Sequence, residues 1–199
     1  MPYTYLLYCP PFELPYTAMT RKQAEANLAY FVEQIPYRVK QLQLVLECDG
    51  EHFELDLDPS SVRELGRWFS KQIEIEPKPA GQLLADELAV DERYRAHLRQ
   101  WQLTAKTISL CYDIGMYLAL QLSKTIPHLS WRVGQGGRNN ADYNMPVLAS
   151  PNARRRFNPI RVSTSVAYNY AEGNAGPERL LEILDVWHGS FRTSELEPE

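Results

Sequence analysis

Cysteine is scarce in this chain and forms no pattern. Cys9, Cys48 and Cys111 are odd in number, widely spaced and without a C-x-x-C pair. That argues against a disulfide framework and a cysteine-rich zinc site, and favours a reducing compartment. No apolar run approaches the ~20 residues of a membrane-spanning helix. The amino-terminal MPYTYLLYCPP has neither the basic region nor the apolar length of a secretory signal. The four histidines, His52, His97, His128 and His188, lie far apart with no H-E-x-x-H, so a zinc site would have to gather ligands from remote segments. GQGGRNN at 134–140 lacks the G-K-[ST] ending, and no helical pattern follows it, which disfavours a phosphate-cradling loop. No G-x-S-x-G and no Cys–His signature supports nucleophilic hydrolysis, and there are no internal repeats. These absences set the expectation of a cytoplasmic protein with no membrane attachment, cofactor or metal.

What is present is ordinary in bulk. The 199 residues are 44% hydrophobic and 23% charged, with a net charge of −4. A chain of this length can bury roughly 70% of its unfolded surface without a staple. One domain is expected over 1–190, followed by a disordered acidic tail over 191–199.

The organising stretch is Lys106 to Val133. Ile108, Cys111, Ile114, Gly115, Leu118, Ala119, Leu122 and Ile126 recur at three- and four-residue steps, which predicts a helix over about 106–126. Leu110, Met116 and Leu120 lie on the other side, and a helix apolar around its circumference is covered on several faces. Gly115 falls inside the stripe, where close approach of another backbone explains it. Asp113, Tyr117, Lys106 and Lys124 read as a solvated stripe; the alternative is a buried Asp113, which would have to be hydrogen-bonded and would have a perturbed pKa. Pro127 stops the helix, and Leu129, Trp131 and Val133 alternate as a half-buried strand.

Elsewhere the pattern is mixed. Thr20 and Gln23 form a capping box for a helix to Gln34, interrupted at Pro36. Residues 37–47 fit helix or strand and are read as helix. Phe53, Leu55 and Leu57 alternate with acids and predict a strand. Asp58 and Pro59 then cap and start a helix through Ile73. Glu74 to Gly81 reads as a linker, and 82–103 as helical. Met145 to Leu148 suggests a short strand, and Pro151 to Pro159 a loop. Ile160, Val162, Thr164, Val166, Tyr168 and Tyr170 alternate over eleven positions and predict the strongest strand of the chain. Gly176-Pro177 opens a last helix that stops near Gly189. The expected class is α+β, with helices in the first half and a mostly antiparallel sheet in the second, packed on the central helix.

Charge is unevenly placed. Residues 1–100 are net −5 and residues 101–199 net +1, and 132–161 holds six arginines against one acid, Asp142. Arginine favours bidentate contact with carboxylate or phosphate. Arg138, Tyr143, Asn144, Arg154, Arg155 and Arg156 are therefore the candidate partner- or anion-binding residues. The competing reading is a solvated loop whose arginines pair with the acidic first half. Nucleic acid is a weaker partner for an overall acidic chain. Asp56 and Asp58, with Asp142, are the candidate carboxylates for a metal-dependent alternative, although Asp58 already has a capping task.

The segments FELDLDPSSVRELGRWF, SLCYDIGMYLALQL, HLSWRV, NMPVL and FNPIRV resemble a group of uncharacterised bacterial cytoplasmic proteins of about this length, over roughly residues 37–190. The resemblance implies an immunity protein of a polymorphic toxin system and transfers no functional residue. Two functions are thus expected in order: a non-catalytic protein that neutralises a toxin by direct binding, and, as the alternative, a metal-dependent enzyme acting on nucleic acid or another phosphate-bearing substrate.

Overall fold

Helix α4, Ala105–Thr125, is the axis of the fold. The computed structural model describes residues 4–151 and 155–193. Thr104 caps α4 by accepting the Thr107 amide hydrogen, and Leu110, Ile114, Met116, Tyr117, Leu118 and Leu122 are buried on several of its sides. Helices α1 (Arg21–Cys48), α5 (Pro159–Ala171) and α6 (Arg179–Thr193) pack against it, and α2 (Pro59–Lys71) packs on α6. The main hydrophobic cluster runs through these five helices and takes in Leu148 and Phe157. Gly115 does what its place in the stripe predicts: a Cβ there would lie 2.6 Å from the Pro159 carbonyl oxygen, where α5 begins.

Two small antiparallel sheets complete the α+β fold. Strand β1 (Ile75–Pro77) pairs with β2 (Trp101–Leu103), and β3 (Ser130–Val133), β4 (Pro146–Ala149) and β5 (Arg156–Phe157) form the second sheet in that order. The register sets Trp131 beside Leu148 and Leu148 beside Phe157. Helices fill both halves of the chain, so the expected division into helical first and sheet-bearing second half is not what forms. Among the described residues no helix is long and apolar enough to cross a membrane.

Several local expectations are corrected. Residues 160–170 are helix α5, not a strand. Asn158 accepts the Arg161 amide hydrogen as N-cap at 3.1 Å, and Pro159 stands in the first turn, so the helix-start signal prevails over the period-2 pattern. The small residues Ser163 and Ala167 face α4, with Ser163 Oγ donating to the Cys111 carbonyl at 2.6 Å. Pro36 does not interrupt α1. Phe31, Ile35, Arg38, Leu42 and Val45 continue as one buried stripe, and that packing carries the helix through a residue that costs it ~3 kcal/mol. The exposed Pro36 leaves its turn open to water.

Residues 53–57 keep their alternation, with Phe53, Leu55 and Leu57 half-buried and Glu54 and Asp56 exposed, yet pair with no strand. The Gln43 amide stands in for one: its Oε1 accepts the Leu55 N–H at 2.9 Å and its Nε2 donates to the Phe53 carbonyl at 3.2 Å. The expected linker at 74–81 holds β1 and the start of α3 (Ala80–Ala89). Residues 82–103 are not one helix but α3, a 3-10 turn at Glu92–His97 and β2. Helix α6 passes through Gly189 to Thr193, and Phe191 in the expected tail is buried in the core. The rest of that tail, 194–199, lies outside the described residues.

Candidate functional site

Asp113 is fully buried and not part of a solvated stripe. Arg38 of α1 meets it in two parallel bonds, Nε to Oδ1 at 2.6 Å and Nη2 to Oδ2 at 2.8 Å. Tyr5 Oη donates to Oδ2 at 2.5 Å and accepts from Arg38 Nη2 at 2.9 Å. Arg38 Nη1 donates to the Leu6 carbonyl at 2.7 Å, and Ser109 Oγ accepts the Tyr8 N–H at 2.6 Å. The side chains of Arg38 and Asp113 are 3% and 0% exposed. Burial pushes the Asp113 carboxyl up to about 6, against the hydrogen bonds of Arg38 and Tyr5 that favour its ionised form. Burial likewise raises the Tyr5 phenol. Every charged atom here has a partner, so the centre ties the amino-terminal segment to α1 and α4. It organises the fold.

The predicted arginine edge is only partly assembled. Arg138 is exposed in the loop after β3, Tyr143 is half-buried and Arg155 is exposed. Arg154 lies outside the described residues. Asn144 is buried and structural: its φ is 61°, and its Nδ2 donates to the carbonyls of Tyr16 at 3.1 Å and Met19 at 2.8 Å. It therefore holds the amino-terminal segment. Arg156, in β5, does join a site. With Arg161 and Arg179 it lines an open cleft of about 340 Å³, to which Val162, Ile183 and Trp187 also contribute. Arg161 pairs within the segment, to Asp142 at 2.8 Å. The two halves of the chain are joined by other pairs: Lys106 with Glu74, Lys124 with Asp58, Arg99 with Glu172, and Arg63 and Arg67 with Glu178.

Arg179 was missed by the sequence reading, which stopped at the dense arginine run. The signal was present in the spacing: Arg179, Ile183 and Val186–Trp187 share one face of α6.

The candidate carboxylates do not converge. Asp56 accepts the Asp58 N–H at 3.0 Å, Asp58 Oδ1 is 3.3 Å from Lys124 Nζ, and Asp142 is held by Arg161 and by Asn158 Nδ2 at 2.9 Å. Among the described residues, no three His, Cys, Asp or Glu side chains come together to hold a metal ion. Asp58 stands at the N-cap of α2 as predicted, but its side chain accepts no capping hydrogen bond.

A second surface lies on the unit from β1 to β2. Helix α3 has no buried residue, and Leu84 and Leu88 are 57% and 75% exposed. Ile75 on β1 is 49% exposed and flanks, with Pro77 and Trp101, an apolar hollow of about 350 Å³. Between Glu74 and Glu92 there are six carboxylates and one lysine, Lys78, which pairs with Asp86 at 2.5 Å. Comparison of the chain with protein-family models, curated protein sequences and solved structures returns no match.

Proposed function

We propose that this is a non-catalytic binding protein of the immunity type, acting in the bacterial cytoplasm, where it neutralises a toxin by direct binding. The observation that supports this reading is α3: a ten-residue helix with no buried residue, with Leu84 and Leu88 outward beside Asp86 and Glu87. Exposed apolar patches rimmed by charge are where protein partners dock. The acidic character suits a basic partner such as a nuclease, since complementary fields speed association and exclude wrong partners. A monomer gains nothing in stability from leucines left in water, so their placement fits a role outside the fold.

The test is co-expression with a toxin encoded beside the gene. The wild-type chain is expected to restore growth, and Leu84→Glu with Leu88→Glu to abolish the rescue while the purified variant keeps its melting temperature. Rescue unaffected by the double substitution would remove α3 from the interface. Failure to rescue against any neighbouring toxin would remove the immunity reading itself.

A further inference from the structure

Helix α3 turns a polar side to the fold and its exposed leucines away. Gln82 and Asp86, four residues apart, line a cleft of about 430 Å³ together with Ile108 of α4 and Tyr168 of α5, and Asp86 pairs there with Lys78. Leu84 and Leu88 lie on the opposite side of the helix and are exposed. Their four-residue spacing makes one ridge of the helix surface. The row beside it is Gly81, Ala85 and Ala89, all exposed. A Cβ on Gly81 would meet nothing within 4 Å. A leucine ridge thus runs along an open groove of small residues. Glu87 stands exposed at the edge of the ridge, and α3 carries no basic side chain. Arg95 donates to the Glu87 carbonyl oxygen at 3.1 Å, not to its carboxylate.

We propose that α3 receives an α-helix of the partner protein, whose large apolar side chains enter the Gly81–Ala85–Ala89 groove while a basic side chain faces Glu87. This rests on the reading of α3 as the binding surface and adds the shape and charge of what binds there. A ridge beside a groove, both at four-residue spacing, is the relief that a second helix fits, and small residues at the contact bring the two axes close. An extended strand presents its side chains at a two-residue period and matches neither row. A second copy of the chain has the same relief, and charge decides against it. A two-fold pairing of α3 with itself, centred between Leu84 and Leu88, sets Glu87 beside its own copy, and like charges so placed cost affinity. A lysine or arginine in that place gains it.

Fluorescence anisotropy of labelled peptides titrated with the full chain at low salt tests this. The probe is a leucine–lysine peptide of ~18 residues, long enough to form a helix alone, with leucine at three- and four-residue steps. One control holds the same residues in strict alternation, and another has glutamate in place of lysine. The helical lysine peptide is expected to bind about tenfold more tightly than either. Ala85→Leu adds apolar surface but fills the groove, so affinity for that peptide should fall at least about fivefold. A merely sticky patch would bind more tightly instead. Glu87→Lys should weaken the lysine peptide and strengthen the glutamate peptide, each about threefold. Both variants should melt with the wild type; if Ala85→Leu melts lower, Ala85→Met fills the same row. Equal binding of the alternating peptide overturns the proposal, as does no binding of the helical one. Unchanged or tighter binding by Ala85→Leu overturns it too, and so does a preference that Glu87→Lys leaves as it was. Sedimentation should show a monomer, and a dimer that Leu84→Glu dissociates would give the surface to a second copy. Growth rescue reads the α3 surface whatever the shape of its partner. Rescue that needs Leu84 and Leu88, beside peptides that bind alike, therefore strikes the helix and leaves the surface standing.

Discussion

Helices α4 and α3 both carry leucine, alanine and acids, and the fold treats them in opposite ways. On α4 even the carboxylate of Asp113 is inside, met by a two-bond arginine and a tyrosine hydroxyl. On α3 nothing is inside, and Leu88 is three-quarters exposed. The difference separates two jobs. Interactions around α4 set the stability of the molecule, and the apolar atoms of α3 stay in water, where the proposed reading puts a partner.

Breaking the α4 side should have the largest effect. Arg38→Met leaves the Asp113 carboxylate buried without its cation, and urea denaturation is expected to show a loss of ~3–5 kcal/mol. Adding Asp113→Leu removes the orphaned charge and should recover most of that loss. A cost below ~1 kcal/mol for the single change would place the pair with ordinary surface bridges and erase the contrast. Gly115→Ala comes next. Its new methyl meets the Pro159 carbonyl across the α4–α5 contact, so a loss of ~1–3 kcal/mol is expected despite alanine's better helix propensity. Unchanged stability would mean that α5 yields there.

The α3 side should barely register in the same assay. Leu84→Ser with Leu88→Ser is expected to stay within ~0.5 kcal/mol of wild type per site, and a larger loss would show that α3 belongs to the core after all. The smallest effect concerns acid. Burial, aided by Arg192, holds the His188 imidazole below its ordinary pKa while Asp185 acts the other way; Nε2 lies 2.8 Å from Gln121 Oε1 and Nδ1 3.3 Å from Thr125 Oγ1. The folded chain therefore binds fewer protons at this ring than the unfolded chain does. Its contribution is full above the unfolded value of ~6.5 and is lost as pH falls through the lower folded value. His188→Gln should flatten the melting curve's dependence on pH between ~7 and ~5, and an unchanged slope would exclude this ring as its source.

The sequence disclosed α4 because an apolar stripe that continues around a helix has one physical meaning, and Gly115 within it marked a neighbour's backbone. It disclosed the capping box at Thr20 because such a residue before a helical pattern acts locally, and it placed the start of α2 at Asp58-Pro59 although the Asp58 side chain makes no capping bond. It misled at α5, where Val, Thr and Tyr alternate as in a strand. There Ser163, whose hydroxyl meets the Cys111 carbonyl of α4, is polar and does not show in an apolar count. Asp113 was misread for a related reason: its cation, Arg38, lies 75 residues earlier, and pairing at such distance leaves no trace in local periodicity. Of the candidate residues that the structure describes, Arg156 alone lines the cleft. The cleft itself depends on α6 folding back against α5, which no local pattern states.

Cys111 gives the molecule an internal clock. Cys9 and Cys48 are exposed, whereas Cys111 sits in the α4–α5 contact with its thiol pushed up to about 12 by burial. Alkylating reagents attack thiolates, so the first two cysteines should be labelled at once and the third only when α5 leaves α4. Because that parting requires the main cluster to open, the rate at which Cys111 acquires label reports the opening of the whole core. A mass spectrum then times unfolding without any change to the α3 surface.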